Sequence, residues 1–319
     1  MVITMAKHRT SPPPADVIAH VRQSFLIFPA EDFFDHLKPH ALSDTSCANA
    51  VSTAIQGLQS ALSAASLPFK LVQDSAYQRH FNRIHSSEHI LALIPINAGE
   101  MTKSEAAEHA DAQADAKMLE FLSSDEGREI IRDDIIYALS RHLKSEGVSA
   151  AANELLIQTL ISIWSVFESF SRNLIVQLVN DDPNNAEPIL KSPDLKDFFG
   201  KQVIDIQTIG DHGYDLSKSM GDIIFRGRRL DSLSVIKSVF KSLFDSSDVQ
   251  VALGDLRLLN QRRHLFIHNR GIVDADYLRN SGDNSPIGKR LTVRSDDIKD
   301  HLKAVQIAII AICVAGEAA

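Results

Sequence analysis

One stretch limits the possible folds of this chain more than any other: the apolar run from Ala150 to about Asn180. Leu155, Leu156, Leu160, Ile163, Trp164, Phe167, Phe170, Leu174 and Leu178 recur every three or four residues, the period of one face of an α-helix. A face this wide and this aromatic needs other helices against it. Asp181-Asp182-Pro183-Asn184-Asn185 supplies the stop. The expected class is therefore mainly α, with an antiparallel helical bundle over 148–319 and an α or mixed α/β region over 1–147. Ser145-Glu146-Gly147 is the expected boundary.

Within 1–147, Ala15–Phe28, Ala30–Leu37 and Ala48–Ala65 read as helices, the last with Thr45 or Ser46 as cap. Phe69–Val72 and Ile90–Ile96 are short, apolar and partly β-branched, with Pro and Asn-Ala-Gly flanking the second. These are the two candidate strands. Met101–Asp134 holds ten acidic residues against four basic ones and so accounts for most of the chain's net charge of −8. Ser104–Leu122 within it is alanine-rich and free of Pro, which predicts an exposed helix followed by a bend at 120–124. Glu105, Glu108, His109, Asp111 and Asp115 are read as a solvated face rather than as metal ligands. Ile130–Lys144 is a further amphipathic helix.

Two cysteines, Cys47 and Cys313, rule out a disulfide framework or a cysteine-rich zinc site and point to a reducing, cytoplasmic setting. No continuous apolar run follows Lys7 and Arg9 before Pro12-Pro13-Pro14, so no secretory signal is expected. Ala304–Ala315 is interrupted by Gln306 and falls short of the roughly 20 residues that span a bilayer, so it reads as a buried helix without a membrane partner. The acidic balance argues against indiscriminate binding of nucleic acid but permits a local basic cleft.

Chemistry concentrates at Arg262-Arg263-His264-Leu265-Phe266-Ile267-His268-Asn269-Arg270-Gly271. On a helical wheel Leu256, Leu259, Phe266 and Ile267 cluster within about 40–60° of Arg263, which places the arginine at the centre of an apolar face. Leu258 and Leu265 lie opposite, so the helix is expected to be covered on two sides. Arg257, Asn260, His264 and His268 form a polar stripe between them. Burying such groups without partners is costly, so a site between packed surfaces is expected. Glu168 and Arg172 read as a surface pair four residues apart. Arg226-Gly227-Arg228-Arg229 reads either as an ordinary basic loop before the helix Ser232–Phe244 or as an RNA-backbone contact.

Arg263-x4-His268, followed by Asn269-x-Gly271-Ile272-Val273-Asp274-x-x-Tyr277-Leu278 and later by Ile287-Gly288-Lys289-Arg290-Leu291 and a final apolar helix, resembles the Arg-x4-6-His motif and motif exit of the HEPN superfamily (higher eukaryote and prokaryote nucleotide-binding domains). The resemblance covers roughly Asn153 to the C-terminus. Arg262-x5-His268 fits the loose motif too, and His264 stands where relatives often have Asn. Arg270 occupies the place of the tyrosine in the His-x-Tyr toxin branch, so nucleotide attachment there is not expected.

The resemblance implies a metal-independent endoribonuclease, a toxin or antiviral-defence effector, with Arg263 and His268 catalytic and His264 assisting. Arg257, Asn260, Arg262 and Asn269, with Arg226, Arg228 and Arg229, are assigned to RNA binding. It also implies a homodimer through the motif helix and allows for an antitoxin or regulatory protein. No phosphate loop, dinucleotide fingerprint, His-Glu-x-x-His or Gly-x-Ser-x-Gly occurs, so neither metal nor cofactor is expected. Histidine near neutrality and a guanidinium fork suit RNA cleavage by its own 2′-OH. The alternatives are a non-catalytic module binding RNA or nucleotide, and a structural dimerisation domain.

Overall fold

A computed structural model describes residues 11–27, 32–42, 47–200 and 206–318. Helices dominate it: α1 (Ala15–Ser24), α2 (Lys38–Ala41), α3 (Cys47–Asn97), α4 (Lys103–Ser123), α5 (Asp125–Leu143) and α6 (Glu146–Asp181). There follow α7 (Ala186–Lys191), α8 (Lys196–Phe199), α9 (Ile206–Asp211), α10 (Met220–Ile224) and α11 (Leu233–Leu243). The chain ends with α12 (Ser247–Asp255), α13 (Arg257–Asn269), α14 (Ala275–Ser281) and α15 (Ser295–Ala318). Among the described residues there is no strand, and an isolated antiparallel bridge joins Ile272 and Arg290. The fold is mainly α.

The chain divides into two compact units. One combines the described residues up to Ile27 with 66–152, and the other combines those of 28–65 with 153–318. Gly147, where the sequence reading divides the chain, lies in the first turn of α6. Thr45 and Ser46, the expected caps, lie outside the described residues, as does the start of the expected helix Ala30–Leu37.

In the first unit, Val21 of α1 and Phe25 just after it pack with Ala76 of α3 and with Ile131, Ile135, Ile136 and Leu139 of α5. Ile84 of α3 meets Ala114 and Met118 of α4. The buried stripe of α4 is Ala106, Ala110, Ala114 and Met118 at four-residue spacing, and its three alanines let a neighbouring helix approach closely. Thr102 opens α4 with a capping box, accepting from the Glu105 amide while the Glu105 carboxylate accepts from Thr102 N at 2.9 Å. The bend at 120–124 is tight. Ser124 caps α5, and a Cβ on Gly127 would lie 1.8 Å from the Phe121 carbonyl oxygen.

Both expected strands are helical: Phe69–Val72 and Ile90–Ile96 lie inside α3. Pro68 and Pro95, which punctuate these runs in the sequence, sit within the helix instead of ending it. The runs are apolar without being buried, since Leu71, Ile90, Leu93 and Ile94 are each more than half exposed. Local composition therefore imitated a core strand where an exposed helical face stands.

The second unit is built around α6 and α15. Leu160, Ile163, Trp164, Phe167 and Leu174 of α6 have no solvent exposure, nor have Ile298, Leu302, Val305, Ile309 and Ile312 of α15. Leu58 and Leu62 of α3 join this core, and Gly57 allows Val166 close, since a Cβ there would meet its Cγ2 at 2.8 Å. By length and composition α6 could cross a membrane; its aromatic face is instead filled by protein. Ala304–Ala315 belongs to the half-buried α15, and Cys47 and Cys313 are buried thiols not joined in a disulfide.

Candidate active site on helix α13

The motif helix is shorter than its periodicity predicts. Leu256 (φ −76°, ψ −4°) separates α12 from α13, and its side chain is fully buried. At the far end Arg270 adopts a left-handed conformation (φ 52°) and Gly271 follows at φ +78°. A Cβ on Gly271 would come within 2.8 Å of the Phe266 ring. The chain then runs beside 288–291, with Val273 N donating to Lys289 O at 3.0 Å and Leu291 N to Gly271 O at 2.8 Å. Asn269 clasps this exit: its amide donates to Ile272 O (2.6 Å) and to Asp274 Oδ2 (3.0 Å). Asp274 in turn caps α14 through Tyr277 N (2.7 Å).

Leu259, Leu265 and Phe266 are buried, whereas Ile267 is 45% exposed. On the wheel, the buried arc runs from Leu265 through Arg262 and Phe266 to Leu259. Arg263 thus stands at its edge, not at the centre of an apolar face, and Ile267, Asn260, His264 and His268 follow round the open side. Among the described residues the helix is covered on one side, not on two.

Arg262 points into the protein. Its Nη1 donates to Asp297 at 2.8 Å and lies 3.2 Å from His301 Nε2, and Nη2 is 3.8 Å from Asp283. Tyr277 Oη also donates to Asp283, at 2.8 Å. These contacts tie α13 to α15 and to the loop after α14. Among the described residues the Arg262 Nε, a buried donor, has no hydrogen-bond partner. Burial, reinforced by the Arg262 charge and opposed by Asp297, pushes the His301 imidazole down to about 4.

That shift has a consequence for stability. An imidazole that titrates near 6.5 in the unfolded chain and near 4 in the native one is bound by more protons when unfolded throughout that window. Its contribution is complete above about pH 6.5 and is lost as pH falls towards 4. The melting temperature should fall through this range, and His301→Gln should flatten the decline while lowering the plateau. Thermal melts from pH 4 to pH 8 check both.

Arg263 faces a second cleft, with Ser165, Glu168, Ser169, Arg229 and Asp231. Its Nη2 is 3.9 Å from Glu168 Oε2, and its Nε is buried with no hydrogen-bond partner among the described residues. Burial raises the Glu168 carboxyl, against the opposing pull of Arg263 and the Trp164 hydrogen bond. The expected surface pair of Glu168 with Arg172 is not formed. Glu168 accepts from Trp164 Nε1 at 3.1 Å, and Arg172 donates to Arg228 O at 2.6 Å. The basic loop is divided in purpose. Arg228 donates to Phe198 O (2.6 Å) and Phe199 O (2.8 Å) and lies over both rings, which leaves its guanidinium committed to the fold. Arg226 pairs with Asp211 at 3.3 Å, and Arg229 is exposed beside Arg263.

His264 and His268 are both exposed, with ring centroids 4.5 Å apart. They open onto a polar cleft of about 680 Å³, lined also by Asn260, Gln261, Asp274, Asp276 and Arg279. Arg257, at the start of the stripe, is an anchor for the cleft wall and donates to the carbonyl oxygens of Asn280 and Arg279. The structure therefore gathers Asn260, His264, His268 and Asn269 at one cleft and Arg263 with Arg229 at another. Arg257, Arg262 and Arg228 serve as supports. Glu168, which the sequence reading assigns to a surface pair with Arg172, is instead the ionic partner of Arg263. Comparison with family models, with curated proteins and with solved structures finds no match to this chain.

Proposed function

We propose that this protein is a metal-independent endoribonuclease in which His264 and His268 carry the proton transfers. The observation that supports this most is the exposed pair of imidazoles at one polar cleft. A neutral imidazole accepts the proton of the RNA 2′-OH, and the freed oxygen bonds to phosphorus. The bond from phosphorus to the 5′-oxygen then breaks, and an imidazolium returns a proton to that oxygen. The products are a 2′,3′-cyclic phosphate and a 5′-hydroxyl. A synthetic RNA incubated with EDTA should yield these ends, and 2′-deoxyribose at the scissile nucleotide should block the cut. EDTA-sensitive cleavage leaving 5′-phosphate would require an activated water and overturn the reading.

In-line displacement needs acid and base on opposite sides of phosphorus, while both imidazoles of one chain project from one helix face. Arg263 opens onto the other cleft, so one copy does not aim Arg263 and His268 at a single phosphate. A second copy docked through the open face of α13 around Ile267 resolves this, because symmetry brings two histidine pairs and two guanidiniums to one groove. Sedimentation at micromolar concentration should show a dimer; a monomer with full activity would remove this part of the proposal. The cellular role implied by the sequence resemblance is that of a toxin or antiviral-defence effector.

The separation of Arg263 from His268 also favours a second reading, a module that binds RNA or nucleotide without cutting it. Retention of intact RNA on the protein is its signature.

A further inference from the structure

In the first unit, a cluster far along the chain from α13 has the donor set of a metal site. His85 and His89 lie one turn apart on α3, and Asp111 faces them from α4. Asp111 Oδ1 lies 2.9 Å from His85 Nε2 and 2.7 Å from His89 Nε2, and the two rings are 4.2 Å apart. All three donor atoms fall within 4.8 Å of one another. Among the described residues this is the one group of three or more His, Cys, Asp or Glu drawn so close together.

The scaffold around it is ordered by packing. Ile84, one residue before His85, is buried against Ala114 and Met118, one and two turns beyond Asp111. Glu88, between the histidines, is buried and takes Lys117 of α4 at 2.6 Å. The two helices are thus pinned beside the cluster by contacts that do not involve its donors. The histidines are a little over a third exposed and Asp111 more than half, so an ion can enter from solvent.

We propose that His85, His89 and Asp111 bind a divalent transition metal ion of the zinc class and so join α3 to α4. Two imidazoles four residues apart on a helix present their nitrogens to one point, the arrangement by which helical histidine pairs hold zinc. Nitrogen donors select zinc, cobalt, nickel or copper over magnesium and calcium, which take oxygen. Ligands at 2.0–2.1 Å from a tetrahedral ion stand about 3.3 Å from one another. The 2.9 and 2.7 Å separations open by about 0.4–0.6 Å to admit the ion. Three protein donors leave the fourth position to water. The excess of carboxylates over 101–134 draws cations to this helix.

Calorimetric titration of the full-length protein with zinc, after dialysis against chelator, should reveal one saturable site per chain. His85→Asn with His89→Asn should weaken it by more than the roughly 10- to 100-fold that loss of a supporting group costs. Asp111→Asn is a second variant with an independent position, and circular dichroism verifies that each is folded. Cobalt in place of zinc should give visible absorption bands that vanish in the double variant. His264→Asn with His268→Asn, which alters the other histidine pair, should leave both signals intact. The proposal is overturned if the native chain shows no saturable binding, if the His85/His89 variant binds as the native chain does, or if binding follows His264 and His268 instead.

Discussion

Replacing His268 with alanine is expected to lower RNA cleavage by about 10²- to 10⁴-fold, the usual contribution of a positioned acid or base. The native fold should persist, because the side chain is exposed and its recorded neighbour is the His264 ring. Its truncation leaves no buried polar group behind, so thermal melts of the variant should overlay those of the native chain. The two measurements together separate chemistry from folding. A folded His268→Ala protein that cuts RNA at the native rate would end the ribonuclease reading. His264→Ala should show a loss as well, since one imidazole takes the 2′ proton while another protonates the leaving oxygen.

Arg262→Ala should do the reverse and act on the fold. The arginine side chain is 12% exposed and engages Asp297, with Asp283 and His301 alongside. Removing one partner of a buried ionic group leaves the others desolvated and uncompensated, which costs about 3 kcal/mol or more. Denaturant unfolding should register that loss as a lower midpoint. Arg262→Lys should recover part of it, because a point charge satisfies Asp297 but lacks the second limb of the fork, which stands beside Asp283. If Arg262→Ala unfolds at the native midpoint, the network through α13 and α15 is not the structural tie described here.

The two adjacent arginines show how much of the site could be read from the sequence. Periodicity placed Arg257, Asn260, His264 and His268 on one stripe, and three of these four line one cleft. It could not divide Arg262 from Arg263, because their difference lies in what faces them. Arg262 meets Asp297, 35 residues away, and Arg263 meets Glu168 on another helix. The wheel also counted Ile267 as a buried neighbour of Arg263; one hydrophobic residue in the open arc moved the apparent centre of the apolar face. The long helix α6 was legible because its aromatic spacing spans many turns. α3 was not, because Pro68 and Pro95 signal breaks that the helix does not make. Asp111 reads in the sequence as part of a solvated face, and no periodicity relates it on α4 to His85 and His89 on α3.

The path of α3 bears on any dissection of the protein. A fragment starting at Val148 would seem the natural C-terminal half, yet it would lack Val51, Leu58 and Leu62, which are wholly or almost wholly buried and belong to the same unit as α6 and α15. The first unit's residues 66–152 leave that unit in mid-helix and return to it within another helix. No loop at either crossing offers a place to cut. The order of the sequence and the order of assembly are therefore different: a ribosome making this chain must finish the inserted helices before α3 can find the aromatic face that completes its first half.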